Sequence, residues 1–181
     1  MMNNNICLYL IFLIGCFVVG CGQQQDGKGE ATIEAPKTDT LSAISDFDRL
    51  NIDGYVPAYK DSSRNAIAVN SVTYPDQFGA AETIWQGMSG QYNVTIETMP
   101  EEDGESTYQL FVNGDLKGSY VNPETDQAFG NSRHTWNQIQ INTGDTVRVA
   151  SSTHSNGLIP ENGGFAYARG RWNSLILEKV Q

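Results

Sequence analysis

The chain has 181 residues and a formal net charge of -10 at pH 7, a length that indicates one main folded domain once any leader is removed. Nucleic-acid phosphates and anionic membrane surfaces repel so acidic a chain, which excludes nucleic-acid binding as its main role. The three cysteines are Cys7, Cys16 and Cys21, so the presumed folded part can form neither a disulfide framework nor a cysteine metal site.

The chain begins with a predicted lipoprotein signal peptide, residues 1–21. Residues 6–19 are apolar and uncharged, about the length of a signal-peptide apolar region and short for a membrane span. The segment ends in Val-Val-Gly-Cys, which resembles a bacterial lipobox with the lipid on Cys21; Cys16 is a second candidate. A plain cleaved leader and a short uncleaved anchor are the alternatives. The implied location is the bacterial cell envelope, lipid-anchored, with the protein facing the periplasm or exposed at the cell surface.

A flexible tether is predicted next, over residues 22–40. This segment is rich in Gly, Gln, Thr, Lys and Glu and cannot bury enough apolar surface to fold. Residues 41–65 contain too many apolar side chains for a linker, and we expect them to pack on the core of a β-sandwich domain that spans residues 41–181.

Strand signals recur from Ala66 to the end of the chain. Tyr92, Val94 and Ile96 alternate with polar residues, as in a half-buried strand. Asn113-Gly114 supplies the positive φ angles of a tight hairpin turn. The spacing predicts an all-β fold, a jelly-roll sandwich of about eight antiparallel strands. The predicted strands are 66–72, 81–86, 91–98, 106–112, 116–120, 135–141, 146–151 and 171–180.

An acidic loop joins two of these strands. Glu101, Asp103 and Glu105 lie on a glycine-containing turn, a type of segment that can supply carboxylate and carbonyl oxygens to Ca²⁺. A solvated acidic turn is the alternative. Catalysis is disfavoured, because glycoside hydrolysis needs two carboxylates facing each other across a sugar, and neighbours on one turn do not.

The long loop from Asn156 to Trp172 is the main candidate binding segment. Long structured loops on a rigid β scaffold are where binding sites lie. Aromatic rings stack on sugar rings, and arginine or asparagine fixes hydroxyls or a carboxylate. The arginines indicate an acidic or sulfated saccharide, or an ion-pair network with the acidic loop that pins the long loop. The candidate ligand-binding residues are Asn156, Glu161, Tyr167, Arg169, Arg171 and Trp172, joined from an earlier strand by His134 and Trp136.

The strand motifs resemble those of non-catalytic carbohydrate-binding modules of the galactose-binding-like jelly roll, family 6 and its relatives. The resemblance covers residues 66–180 and includes Gly90-x-Tyr92, Val112-Asn113-Gly114 and the run from Trp136 to Ile141. It implies sugar binding through loop aromatics and a structural calcium ion. The glutamate pair that usually opens the fold and helps to hold that ion has no match in residues 66–70.

Together these features predict a surface-tethered, non-catalytic lipoprotein that binds polysaccharides or oligosaccharides. Polysaccharide-degrading enzymes are its expected partners. Two alternatives remain at this stage: a small polysaccharide lyase or glycoside hydrolase on a jelly roll, and a structural module for protein interaction.

Overall fold

A computed structural model describes residues 37–181. The predicted signal peptide, Cys21 and most of the predicted tether lie outside the described residues. Within the described part, no helix is long and apolar enough to cross a membrane. The elements, in chain order, are β1 Thr38–Ser42, α1 Ala43–Asp46, β2 Val56–Asp61, β3 Ala66–Val69, β4 Phe78–Ile84, β5 Gly90–Thr98, β6 Thr107–Val112, β7 Asp115–Val121, β8 Ser132–Ile141, β9 Thr146–Ser152, β10 Pro160–Glu161, β11 Gly164–Phe165 and β12 Trp172–Lys179.

Two sheets form a β-sandwich, as the strand spacing predicts. In one sheet β12 pairs with β1, β3 and β5, and β5 pairs with β8. In the other the order is β2, β4, β9, β6, β7. The β2–β3 hairpin connects the two sheets. The pairs are antiparallel except β2 with β4, which run parallel.

Alternating side chains from both sheets build one apolar core. Val94 of β5 and Leu175 of β12 lie on one side, and Leu110 of β6 and Val149 of β9 lie on the other, all four fully buried. Asn113 and Gly114 adopt φ angles of 53° and 86°, which confirms the predicted hairpin turn. In β6, Phe111 follows the buried Leu110 directly and so interrupts the alternation of apolar and polar residues, and this interruption also has a physical cause. The outer face of its sheet carries a second apolar cluster, made of Ile52, Ala80 and Ala150 with Tyr55, Phe78 and Phe111 around them.

A β-bulge in β8 explains an irregular spacing in the sequence. Trp136 and Ile139 are both buried although they are three residues apart, which strict alternation forbids. The pairing of β5 with β8 shifts between Tyr92 and Val94, and Gln138 has a φ of 58°. The extra residue returns the following side chains to the core face.

Four strands of the described residues were not predicted: β1, β2 and the short pair β10 and β11. β1 begins at Thr38 and pairs with β12 from Thr38–Glu178 to Ser42–Ser174, so the folded unit includes residues assigned by sequence to the tether. β2 contains Pro57, a residue that weakens a strand signal. Its segment packs on the core, as expected for residues 41–65.

Several connections gather at one end of the sandwich. Thr98 pairs with both Trp172 and Ser132, so the ends of β5 and β8 and the start of β12 lie together. The hydroxyl of Thr98 donates to Oδ1 of Asn122 at 2.6 Å, which links this end to the segment after β7. We call this region the loop end; it carries the connections 99–106, 122–131 and 153–171.

Candidate functional site

The acidic loop and the long loop are joined along their backbones. The N–H of Asn156 donates to the carbonyl of Asp103 at 3.0 Å, and its side-chain amide donates to the carbonyl of Glu102 at 2.9 Å. A Cβ on Gly104 would lie 2.0 Å from the carbonyl oxygen of His154, so only glycine allows this approach. Asn156 therefore holds two loops together.

Arg171 lies under these loops in a buried ion network. Its Nε donates to Oδ2 of Asp61 at 3.0 Å, and its Nη1 donates to Oε2 of Glu101. Burial by itself would lower the pKa of Arg171, but Glu101, Asp61 and Tyr59 together outweigh burial and raise that pKa. Burial raises the pKa of Glu101, against the opposing effect of Arg171. Because the Arg171 side chain is only 6% exposed, it is a structural residue, and its prediction as a ligand-binding residue is corrected.

The two tryptophans predicted as sugar platforms belong to the core. Trp172 is fully buried and meets the ring of Phe47 edge-on at 4.8 Å between centroids. Trp136 is 6% exposed and fills the space above Gly118, where a Cβ would lie 2.2 Å from its Cδ1. Neither ring presents a face to solvent, because both fill the sandwich.

His134 lies beside Trp136, where β7 and β8 approach each other. Its ring stacks on Tyr120 with centroids 4.5 Å apart and planes 11° apart. Burial lowers the pKa of His134. The half-buried His134 thus packs between the edges of the two sheets and lines none of the grooves described below.

The acidic loop does not fit a calcium ion. The carboxylate of Glu101 binds Arg171 and also accepts the backbone N–H of Arg169 at 2.9 Å. Glu105 lies 3.5 Å from Nδ1 of His154. Residues 37–181 contain no group of three acidic, histidine or cysteine side chains placed to hold a metal. The predicted calcium ligands Glu101, Asp103 and Glu105 are therefore corrected: Glu101 is a partner of an arginine, and the three side chains do not converge.

One groove near the loop end combines aromatic and polar side chains, and we call it the tyrosine groove. It has a volume of about 390 Å³. Tyr59 and Tyr74 supply the rings, and both are half-buried. Asn70 and Arg169 supply polar groups. The complete lining is Pro57, Ala58, Tyr59, Asn70, Tyr74 and Arg169.

The backbone fixes the position of Arg169 in this groove. Its N–H donates to Oε1 of Glu101 at 2.9 Å, and its carbonyl accepts the N–H of Val69 at 2.8 Å. The guanidinium extends to the tyrosine groove, where Nη1 lies 3.5 Å from the hydroxyl of Tyr59. The buried ion network under the loops therefore determines where Arg169 lies.

The segment 70–77, which supplies Asn70 and Tyr74 to the tyrosine groove, also borders a second groove. We call this second groove the Phe165 groove. Its volume is about 230 Å³. Phe165 of the β10–β11 hairpin is 52% exposed. The hydroxyl of Tyr167 donates to Asp76 at 3.3 Å, and the charge of Asp76 raises the pKa of Tyr167. The lining consists of Ser71, Val72, Pro75, Glu161, Asn162, Phe165 and Tyr167.

A third groove, of about 600 Å³, is acidic. Glu102, Glu124 and Asp126 supply exposed carboxylates, and Leu158 and Ile159 of the long loop supply apolar surface. Aromatic side chains are absent from its lining among the described residues. It offers no ring on which a sugar could stack.

Sequence reasoning identified part of the candidate site. Of the predicted residues, Arg169 lies in the tyrosine groove, and Glu161 and Tyr167 lie in the Phe165 groove. Tyr59, Asn70 and Tyr74 were missed as site residues. Tyr59 belongs to the apolar-rich segment 41–65, but no local pattern links it to Arg169, 110 residues later.

Comparisons with known proteins give a distant relative. No family model matches the chain. An uncharacterized protein, P23, from Formosa agariphila is 28% identical over 127 residues. The match covers 67% of this chain and 28% of that relative, so the chain spans less than a third of its length.

Solved structures of similar shape include carbohydrate-binding modules. The CBM36-1 domain of a multidomain xylanase from the hindgut metagenome of Trinervitermes trinervoides has a TM-score of 0.47 and 13% identity, covering 80% of this chain and 99% of the module. The C-terminal CBM6 of LamC from Zobellia galactanivorans has a TM-score of 0.45 and 10% identity, with coverage of 79% and 100%. A CBM36 module in complex with calcium and xylotriose has a TM-score of 0.43 and 15% identity, with coverage of 76% and 97%.

Proposed function

We propose that residues 37–181 form a non-catalytic saccharide-binding domain whose site is the tyrosine groove. The observation that carries the proposal is the convergence of Tyr59, Tyr74, Asn70 and Arg169 on one open groove. Aromatic rings bind the apolar faces of sugar rings, and a few directed hydrogen bonds fix their hydroxyls. Phe165 and Tyr167 extend the candidate surface on the other side of the segment 70–77.

The shape of the groove sets the expected affinity. It is open and shallow, and its rings are half-buried, so a ligand would lose only part of its hydration there. A few stacking contacts on such a site give dissociation constants on the order of micromolar to millimolar. The proposed action is capture, which raises the saccharide concentration near separate enzymes or importers.

We further propose that a lipid on Cys21 anchors the domain in the bacterial cell envelope. The apolar segment before Gly20-Cys21 and the polar segment after it support this anchor. Metabolic labelling of the expressed full chain with a radiolabelled fatty acid tests it. Label in the wild type and its loss in Cys21→Ser are expected, and label that persists in the variant contradicts an anchor on Cys21.

Affinity electrophoresis of the wild-type protein in gels with neutral, uronic-acid and sulfated polysaccharides tests the saccharide-binding function. Retarded migration in at least one gel, without released oligosaccharide, is the expected result. Release of oligosaccharides contradicts the non-catalytic assignment. Unretarded migration in every gel contradicts saccharide binding.

A further inference from the structure

Arg169 differs from the other arginines in its surroundings. Arg49, Arg133, Arg148 and Arg171 each form a salt bridge with a carboxylate, and the guanidinium of Arg64 lies 3.4 Å from the ring centroid of Phe129. Within residues 37–181, no carboxylate lies within 4.0 Å of the guanidinium of Arg169. Among the described residues, its side-chain hydrogen bond goes to the hydroxyl of Tyr59, at 3.5 Å.

Arg169 lacks a directly paired carboxylate, which is informative in so acidic a protein. Burial raises the pKa of Asp103, and the charge of Arg169 opposes this rise only at longer range. The chain carries 21 acidic residues against 11 lysines and arginines, so carboxylates are abundant, yet the lining of the tyrosine groove contains none. The Phe165 groove contains Glu161, and the third groove contains three carboxylates. A half-buried guanidinium is partly desolvated and gains most from a charged acceptor. The tyrosine groove is thus suited to a negatively charged group.

We infer that the tyrosine groove recognises a sugar unit that bears one carboxylate or sulfate ester, with Arg169 as the residue that pairs with the anion. This inference rests on the proposed saccharide-binding function. Tyr59 and Tyr74 hold the ring of the sugar, and the planar guanidinium donates two parallel hydrogen bonds to two oxygens of the anion. Carboxylate and sulfate share the chemistry that this group recognises.

The charge of the whole protein restricts the ligand further. A net charge of -10 repels a densely charged polyanion before it reaches the groove. A saccharide that carries sparse anionic units among neutral ones avoids most of that repulsion. The preferred ligand is therefore a largely neutral chain with single acidic units.

The test uses matched pairs of polysaccharides in affinity electrophoresis of the wild-type protein. Glucuronoxylan is compared with its carboxyl-reduced form, and a sparsely sulfated galactan with its desulfated form. Stronger retardation by the anionic member of at least one pair is expected, and the pair that shows it identifies carboxylate or sulfate.

Variants then test the role of Arg169. Because its structural hydrogen bonds come from the backbone, Arg169→Gln keeps the fold. Arg169→Gln should weaken binding of the anionic form about tenfold, the effect of losing a charged hydrogen bond, and leave binding of the neutral form unchanged. Arg169→Lys should retain part of the preference. Lys117→Gln removes the same charge from β7, outside the groove lining, and should bind as the wild type does.

The outcomes separate this inference from the proposed function. Retardation by neutral polysaccharides alone overturns the anion inference and leaves saccharide binding intact. A preference for the anionic polysaccharide that persists in Arg169→Gln also overturns the inference, since a group other than Arg169 then recognises the anion. Absence of retardation with any polysaccharide overturns both.

Discussion

Glu101 and Arg171 form a buried ion pair at the loop end of the sandwich, with both side chains only 6% exposed. Glu101 contacts two neighbouring parts of one segment, the guanidinium of Arg171 and the backbone N–H of Arg169. The pair thereby connects the acidic loop to the strand that enters the core and fixes the residue that faces the tyrosine groove. A buried charge without its partner is costly, so the loss of either side chain should destabilise this arrangement of the loops.

Removal of one member of this pair should destabilise the fold strongly. Arg171→Met leaves Glu101 and Asp61 without their cation, and we expect a loss of about 3–5 kcal/mol in the free energy of unfolding. The measurement is urea denaturation. The double variant Arg171→Met/Glu101→Leu removes both buried charges and should cost less than the sum of the two single changes. A loss below about 1 kcal/mol in the single variant would contradict a structural role for Arg171.

The stability of the protein should depend on the ionisation of Glu97. A hydrogen bond from the hydroxyl of Ser174 at 2.5 Å and the ion pair with Arg133 lower the pKa of Glu97 from its ordinary value of 4.5. The charged form therefore stabilises the fold above pH 4.5, and this contribution is lost as the pH falls through the lower folded value.

Urea denaturation at pH 7 and at pH 3 measures this effect. Wild-type protein should exceed Glu97→Gln in unfolding free energy at pH 7, and the difference should shrink at pH 3. Ser174→Ala removes the principal hydrogen bond and should reduce the pH dependence. A difference that is constant between the two pH values would refute the assignment.

A side chain at position 118 should destabilise the fold. A Cβ there would lie 2.2 Å from Cδ1 of Trp136, and this ring is fixed between the sheets. Gly118→Ala should cost about 1–3 kcal/mol of unfolding free energy by overpacking, measured by thermal or urea denaturation. Gly130→Ala is the control, because its new Cβ meets nothing closer than 3.9 Å. Equal stability of the two variants would show that Trp136 moves freely.

Calcium should not change the stability of the domain through the acidic loop. The carboxylate of Glu101 is engaged by Arg171, and Glu105 lies beside His154. We therefore expect the same melting temperature with calcium and with a chelator. A rise of several degrees on addition of calcium, abolished by Asp103→Asn, would restore the loop as a metal site.

Local patterns predicted the fold better than they predicted the site. Alternation in β5 and β6 and the Asn113-Gly114 turn are short-range signals, and they identified the strands and the hairpin. β1 is short and polar, and its strand form depends on pairing with β12 more than 130 residues later, from Thr38 to Glu178. The local sequence of β1 therefore does not indicate a strand, because its strand form depends on this long-range pairing.

The site depends on the same long-range packing. Trp172 and Arg169 are near neighbours in the sequence, yet one ring fills the core and the other side chain lines a groove. The sequence predicted both as ligand-binding residues, because residue type alone does not show whether an aromatic ring or a guanidinium lies in the core or in a groove. The two residues differ in burial, because β12 begins at Trp172 and carries its side chain into the core, whereas Arg169 lies before the strand.

Calorimetric titration of the wild type, Tyr74→Ala and His134→Ala with the polysaccharide that retards the protein tests the central claim most directly. The structural hydrogen bonds of Tyr74 involve its backbone N–H and carbonyl, so its side chain can be removed without unfolding. Binding should weaken about tenfold or more in Tyr74→Ala, from the loss of stacking and buried area, and remain as in the wild type in His134→Ala. Full affinity in Tyr74→Ala with loss in His134→Ala would place the site at the β7–β8 edge and contradict the tyrosine groove.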